Sequence, residues 1–341
     1  MAALAGPPPR DLEHGVAMVC LHCSPARSSG IRARRCAWAA RRRRKCAPAA
    51  PPAQPRRTAV VVRVHNGTSD AMLRRHISWA ADLASPAAGS AGEPVQTWLL
   101  FDETYGGDGA WHRARALIRK AGLGDDCVRC FRYAEDDMLR SFDVLEEMRK
   151  AIPDTQNVRD SFTLPCRKSL AWCYHVEAIL LWWLHVAGGA DDPSSVWVIE
   201  DDVGYSGDMF AFVQAYANDP SDLIAHAYQR VDPGWVWCNT ASPGFLELAP
   251  LAERVRCAEH VQRMSGRLLR ALHRHCTQRV SAWSEMSVPT LCRKMLLRAG
   301  PLREEHIGAV FTFDGKVPEA VWPRICSEPS TRGKWWHALK W

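Results

Sequence analysis

The chain has 341 residues, of which 47% are hydrophobic, 24% charged and 9% aromatic, a balance that excludes a wholly disordered protein and suffices for one large domain or two small ones. Its longest unbroken apolar runs, such as residues 178–184, are about a third of the ~20 residues that a membrane-spanning helix needs, so no transmembrane segment is expected. The net charge of +7 is uneven: residues 1–57 hold eleven Arg and Lys45 against Asp11 and Glu13, a net of +10, which leaves residues 58–341 with 32 basic and 35 acidic side chains, a net of −3. A basic folded groove for nucleic acid is therefore not expected in the body, and attraction to polyanions belongs to the first 57 residues.

Those 57 residues read as a disordered Arg/Pro/Ala-rich tail, because Pro7 to Pro9, Pro48, Pro51, Pro52 and Pro55 flank the Arg41 to Lys45 run with almost no apolar periodicity. The composition suits an organelle transit peptide, while residues 15–21 are a badly placed secretory core. A plain disordered extension, or a reading frame begun too early, fits equally. Of thirteen Cys, four lie in this tail and nine are scattered through the body. Cys127 and Cys130 form a CxxC whose one companion, Cys20 and Cys23, is about a hundred residues away, whereas zinc knuckles pair over ~12 to 20 residues. Strand cysteines used in packing are the simpler reading.

From Thr58 onward strand-like and helical patterns alternate, the signal of an α/β protein with a mostly parallel sheet flanked by helices. Residues 58–64 read as a first buried strand, 70–83 as a helix, 95–101 as a strand, 109–121 as a helix ended by Gly122, and 127–133 as a third strand. A long, largely buried helix follows over 169–186 and stops at Gly188 and Gly189. Residues 196–199 are an apolar central strand that runs into Glu200, Asp201 and Asp202. A helix over 208–216, a strand over 223–227, helices over 265–275 and 288–297 and a strand over 307–313 complete the body.

The acidic triplet is the most informative point. Open α/β sheets bind ligands at the carboxyl ends of their strands, and three adjacent carboxylates there are costly without a positive partner. Strand alternation sends Glu200 and Asp202 to one side and Asp201 to the other, so the first two are the pair that can face one cation. Hard oxygen ligands suit Mg²⁺ or Mn²⁺, which in turn binds a diphosphate. The alternative is an exposed acidic turn ahead of the helix over 208–216.

The stretch VWVIEDDVGYSGDMF resembles the metal-binding strand end of GT-A-fold glycosyltransferases, whose D-x-D or E-D-D element holds the metal and the nucleotide-sugar diphosphate, and IEDDV is similar to the I-L-E-D-D-V of the lipopolysaccharide and collagen glycosyltransferase family. The resemblance implies a GT-A-like, Rossmann-like fold over about residues 58–315, with Asp202 the direct metal ligand and Glu200 and Asp201 supporting the metal, ribose or sugar. It implies a single catalytic domain over 58–341, its nucleotide-binding half 58–203 and its acceptor-binding half 204–341. It further implies a nucleotide-sugar donor, a hydroxyl acceptor on a glycan, protein or lipid, and work in the Golgi or secretory pathway, usually behind a membrane anchor that this sequence does not display.

Other residues take candidate roles beside that motif. The turn 64–68, which contains the sequon Asn66-Gly67-Thr68, is where such a fold lays a loop against base and ribose, although Asn-Gly is also an ordinary turn. Asp102, at the end of the second strand, is placed to bind the nucleotide or to be solvated. Arg167 and Lys168, ahead of the long helix, bring positive charge toward a diphosphate. His175 and Glu177 read as a pair hydrogen-bonded within the core. Trp235 and Trp237 offer flat apolar faces to an acceptor sugar, with core packing as the alternative. Glu285 is the candidate general base of an inverting transfer, or a helix cap. His260, Arg263 and Ser265 precede a helix and are placed to contact acceptor or phosphate, without a specific signal, and Trp335, Trp336 and Trp341 carry no chemistry by themselves. Two other functions fit the same features: metal-dependent nucleotidyl transfer or phosphodiester hydrolysis, and a non-catalytic α/β domain whose Arg-rich tail binds nucleic acid or an anionic membrane surface.

Overall fold

Strand β1 (Thr58–His65) lies inside a seven-stranded sheet in the computed structural model, which describes residues 57–84, 95–153, 169–189, 192–311 and 316–341. On one side of it run β2 (Gln96–Asp102) and β3 (Val128–Tyr133), and on the other β4 (Ser195–Ile199), all four parallel. Beyond β4 the order continues through β7 (Val255–Ser265), β6 (Leu223–Arg230) and β8 (Ala299–Pro301). Strand β7 is antiparallel to both neighbours, and β8 is parallel to β6. The protein is thus an α/β fold on a mostly parallel sheet. A second sheet of three strands has the order β5 (Val203–Tyr205), β10 (Trp335–His337), β9 (Ile307–Phe311).

Both faces of the large sheet are covered, which explains why its central strands β1, β2 and β4 are largely apolar rather than alternating. Val60, Val62 and Val64 join Leu99, Phe101, Trp197 and Ile199 on the face packed by helices α1 (Asp70–Ala84) and α2 (Gly109–Lys120). Val61, Leu100, Val196 and Val198 face the opposite core, built with α3 (His175–Val186), α4 (Gly266–Thr277) and α5 (Ser284–Lys294). Each fully buried Val or Leu contributes roughly 1.5–3 kcal/mol. Residues 55–341 form one compact unit, and no helix among the described residues is long and apolar enough to cross a membrane.

Three expectations about elements change. The helix over 169–186 is broken at Tyr174, whose φ of −128° and ψ of 54° separate a short turn (Leu170–Cys173) from α3; the Tyr174 hydroxyl donates to the Met148 carbonyl at 2.8 Å. Helix α5 begins at Ser284, well before residue 288. Strand β7 has no counterpart in the sequence reading, because it buries Glu259, His260, Gln262 and Arg263 and so lacks an apolar period. Arg263 is tolerated there because its guanidinium donates to the carbonyls of Tyr216, Asp219 and Ser221 at 2.6, 2.7 and 2.7 Å. Cys127 and Cys130 are free, half-buried and packed against the core. The tail expected over residues 1–57 lies, up to residue 56, outside the described residues.

Candidate functional site

The acidic triplet occupies the turn between β4 and β5, and β10 lies alongside it. The Glu200 amide donates to the His260 carbonyl on β7 at 3.1 Å, and the Leu339 amide donates to the Asp202 carbonyl at 2.6 Å. With His337 opposite Val203 in the β10–β5 pairing, the C-terminal segment is held against the acidic turn by backbone bonds, and its side chains arrive at the triplet with little freedom.

His260 Nδ1 lies 2.6 Å from Glu200 Oε2, and the His260 ring stacks on His337 with centroids 3.8 Å apart and planes 19° from parallel. His337 Nε2 is 3.5 Å from Asp202 Oδ2, and Lys340 Nζ is 3.2 Å from the same oxygen. Glu200, His260 and His337 each offer a ligand atom within 4.8 Å of the others. Glu200 and Asp202 therefore both lie close to one imidazole, His337. Asp201 points elsewhere: its Oδ2 accepts from the Thr68 hydroxyl and lies 3.3 Å from His65 Nε2. The Asp201 carbonyl accepts from Arg75 Nη2 at 3.1 Å and lies 2.8 Å from His76 Nε2. These bonds fasten the 65–68 turn to the triplet.

Burial pulls all three carboxyls toward the neutral form, and their neighbours decide the outcome. For Glu200 the charge and hydrogen bond of His260 overcome burial and hold it down near about 2. Asp202 is also lowered against its burial, through its contact with His337 and the charge of Lys340. Asp201 is raised, since burial and the charge of Asp202 outweigh His65 and Thr68. Burial pushes His76 down to about 3, leaving it a neutral partner for the Asp201 carbonyl.

A second group of polar side chains adjoins the first on the α3 face. Glu259, next to His260 on β7, contacts His175 at the start of α3. Glu285, on the first turn of α5, is buried and pushed up to about 8, mainly by burial and then by the charge of Glu259. Three tryptophans gather by that turn: Trp237 stacks on Trp283 with centroids 3.6 Å apart, and Trp172 meets both edge-on at 5.9 and 5.3 Å. Trp235 is half-buried under the Arg256 guanidinium, 4.7 Å from its ring.

Several expected residues sit differently from the simple reading. Asp102 uses both oxygens within the chain: Oδ1 accepts from the Thr104 amide at 3.0 Å and from the Thr104 hydroxyl, and Oδ2 from the Ser169 hydroxyl. His175 and Glu177 are not paired with each other, because residues two apart on a helix diverge. His175 meets Glu259, whereas Glu177 Oε1 accepts from the Ser281 hydroxyl and, at 3.5 Å, from the Cys276 thiol. Arg167 and Lys168 lie outside the described residues. Sequence reasoning missed Glu259, His337 and Lys340, and offered His260 only as an unspecific contact for acceptor or phosphate. The signal available for two of them was a His and a Lys left among the tryptophans of the last seven residues.

No known family and no curated protein matches the chain in sequence. Among solved structures it is similar to mouse Xyloside xylosyltransferase 1, with 13% identity, a TM-score of 0.37 and coverage of 72% of this chain and 78% of that one. It is similar to the mannosyltransferase PcManGT of Pyrobaculum calidifontis, solved with GDP-Man and Mn²⁺, at 12% identity and a TM-score of 0.37 over 78% and 61% of the two chains. The bifunctional glycosyltransferase WbbM aligns at 11% identity and a TM-score of 0.42 over 85% and 47%. The 4-diphosphocytidyl-2C-methyl-D-erythritol synthase of Anaerococcus prevotii aligns at 5% and 0.37 over 72% and 86%. With every TM-score below 0.5, these likenesses carry no chemistry to this chain, and function rests on its own side chains.

Proposed function

We propose that the protein is a metal-dependent glycosyltransferase that moves a sugar from a nucleotide-sugar donor to a hydroxyl of a glycan, protein or lipid. The observation that carries the reading is the gathering of Glu200, His260 and His337, whose ligand atoms lie within 4.8 Å of one another at the carboxyl end of a parallel strand, with Asp202 3.5 Å from His337 and 3.2 Å from Lys340. Two carboxylates and an imidazole fit a divalent cation; the nitrogen favours Mn²⁺ over Mg²⁺, which prefers an all-oxygen shell. Asp202 is the direct ligand in this reading, and Glu200 and His337 complete the set. A cation held there would supply charge neutralisation for a departing nucleoside diphosphate.

The chain's own groups account for the remaining work. Lys340 supplies a cation to the diphosphate, and Lys168 is proposed to add a second. Asp201 fixes the 65–68 turn through Thr68 and His65, giving base and ribose a rigid edge. Asp102, braced by Thr104 and Ser169, bounds the nucleotide half (58–203). The acceptor half (204–341) presents Trp235 and Trp237 to the acceptor, and the Glu285 carboxylate takes the proton from its hydroxyl in an inverting transfer. Burial keeps that carboxyl a strong enough base, since acids with high pKa hold protons tightly.

A panel of nucleotide sugars incubated with the protein, an oligosaccharide pool and Mn²⁺ tests this reading. One donor should release its nucleoside diphosphate, with turnover abolished in Asp202→Asn. Release of pyrophosphate or a nucleoside monophosphate instead would replace the reading with nucleotidyl transfer or phosphodiester hydrolysis.

A further inference from the structure

Beside the Asp202 and His337 group lies a second set of ligand atoms that the proposed transfer does not use. His175, Glu200 and Glu259 each offer one ligand atom within 4.8 Å of the others, and His175 and Glu259 are buried at 4% and 8% exposure. They come from three separate elements: the first turn of α3, the end of β4 and the middle of β7. The backbone around His175 is pinned, because the Val176 amide donates to the Ser284 hydroxyl at 3.2 Å and that hydroxyl donates to the Cys173 carbonyl at 3.4 Å. A small cavity opens against two of these side chains, His175 and Glu259, and is lined further by Gln262, Ser284, Val198 and Val288.

A buried imidazole facing two carboxylates, with space beside it, is a ligand set of the kind that holds Zn²⁺ or Mn²⁺, leaving further positions to water. Glu200 belongs to both groups, and a carboxylate with two oxygens can serve two cations. Two-metal centres of this sort hold their ions about 3.5–4 Å apart. We propose that His175, Glu259 and Glu200 bind a second divalent cation, making Glu200 the bridge of a two-cation centre. The inner cation stands on His175 and Glu259, neither of which the glycosyltransferase reading requires.

Metal stoichiometry decides this without reference to turnover. The full chain is stripped with EDTA, dialysed against Zn²⁺ or Mn²⁺, and its bound metal counted by elemental mass spectrometry, with circular dichroism and thermal melting to show that each variant is folded. Wild type should hold two ions per chain, the isosteric Glu259→Gln one, His337→Ala one, and the double variant none. A wild-type count of one overturns the two-cation centre with no variant needed, and a count of zero overturns both sites. If that single ion is removed by His337→Ala and untouched by Glu259→Gln, the inner site is absent and the Asp202 and His337 reading stands. A single ion removed by Glu259→Gln alone supports the inner site as a mononuclear one, overturns the bridge, and sinks the outer site. Two ions that both survive Glu259→Gln overturn the assignment to these residues.

Discussion

Glu285 is a buried carboxyl and Asp202 a half-buried one, and their surroundings drive them in opposite directions. Burial and Glu259 push Glu285 up to about 8, whereas His337 and Lys340 hold Asp202 down. A base of this kind is mostly protonated at neutral pH, so kcat/KM should rise toward a plateau with an apparent pKa near 8, and Glu285→Gln should lose roughly 10²–10⁴-fold in kcat and flatten that limb of the profile. His337→Ala should raise the Kd for Mn²⁺ by about 10–100-fold, the usual effect of disturbing a metal site's supporting groups, as read by calorimetry. Glu177 offers a stability test. It is fully buried and pushed up from 4.5 to about 7, so the folded state binds more protons than the unfolded one between those values. Stability should therefore fall as pH rises through that window, and Glu177→Gln should remove the dependence, gaining about 1–3 kcal/mol at pH 8 in urea melts. At this scale the sequence made the triplet legible, because carboxylates after an apolar strand are conspicuous and alternation separates Asp201 from its neighbours. It could not reveal His337, which lies 135 positions beyond Asp202 and meets it only through the pairing of β10 with β5.

The elements that complete the site are those with the weakest sequence signal. Strand β7 supplies Glu259 and His260 from the middle of the sheet, and its buried polar residues erased the period that marks a strand. Strand β10 has three residues and is anchored by Trp335, fully buried against Trp79, Tyr205 and Phe212 at ring separations of 5.7, 4.9 and 5.1 Å. Trp335→Ala should cost about 3–5 kcal/mol in a denaturant melt, and because His337 stands two residues on, Mn²⁺ affinity should fall as well. Loss of stability with Mn²⁺ affinity intact would mean that β10 does not position the metal site. By contrast, β1, β2 and β4 were readable because burial on both faces makes each a largely apolar run, and the edge strand β3 because its apolar and polar residues alternate. The break at Tyr174 was not, since the residues on either side of it remain apolar and helix-compatible.

Across the whole molecule, charge and chemistry are separated along the chain: a net of +10 in the first 57 residues and −3 in the remainder. The candidate site belongs wholly to the compact unit of residues 55–341. Removing residues 1–54 should therefore leave metal-dependent nucleotide binding within about twofold of the full chain, whereas any affinity for nucleic acid or anionic vesicles should vanish with them and weaken steeply with salt. Composition and alternation reached the fold class because they report burial averaged over many residues; the site needed contacts between distant segments. The most direct test of the account is calorimetric titration of the full chain with UDP, GDP and CMP, each with Mn²⁺ and with EDTA, beside Asp202→Ala. Micromolar binding of one nucleotide that requires Mn²⁺ and disappears in Asp202→Ala is the predicted result, and the absence of Mn²⁺-dependent binding to all three would contradict it.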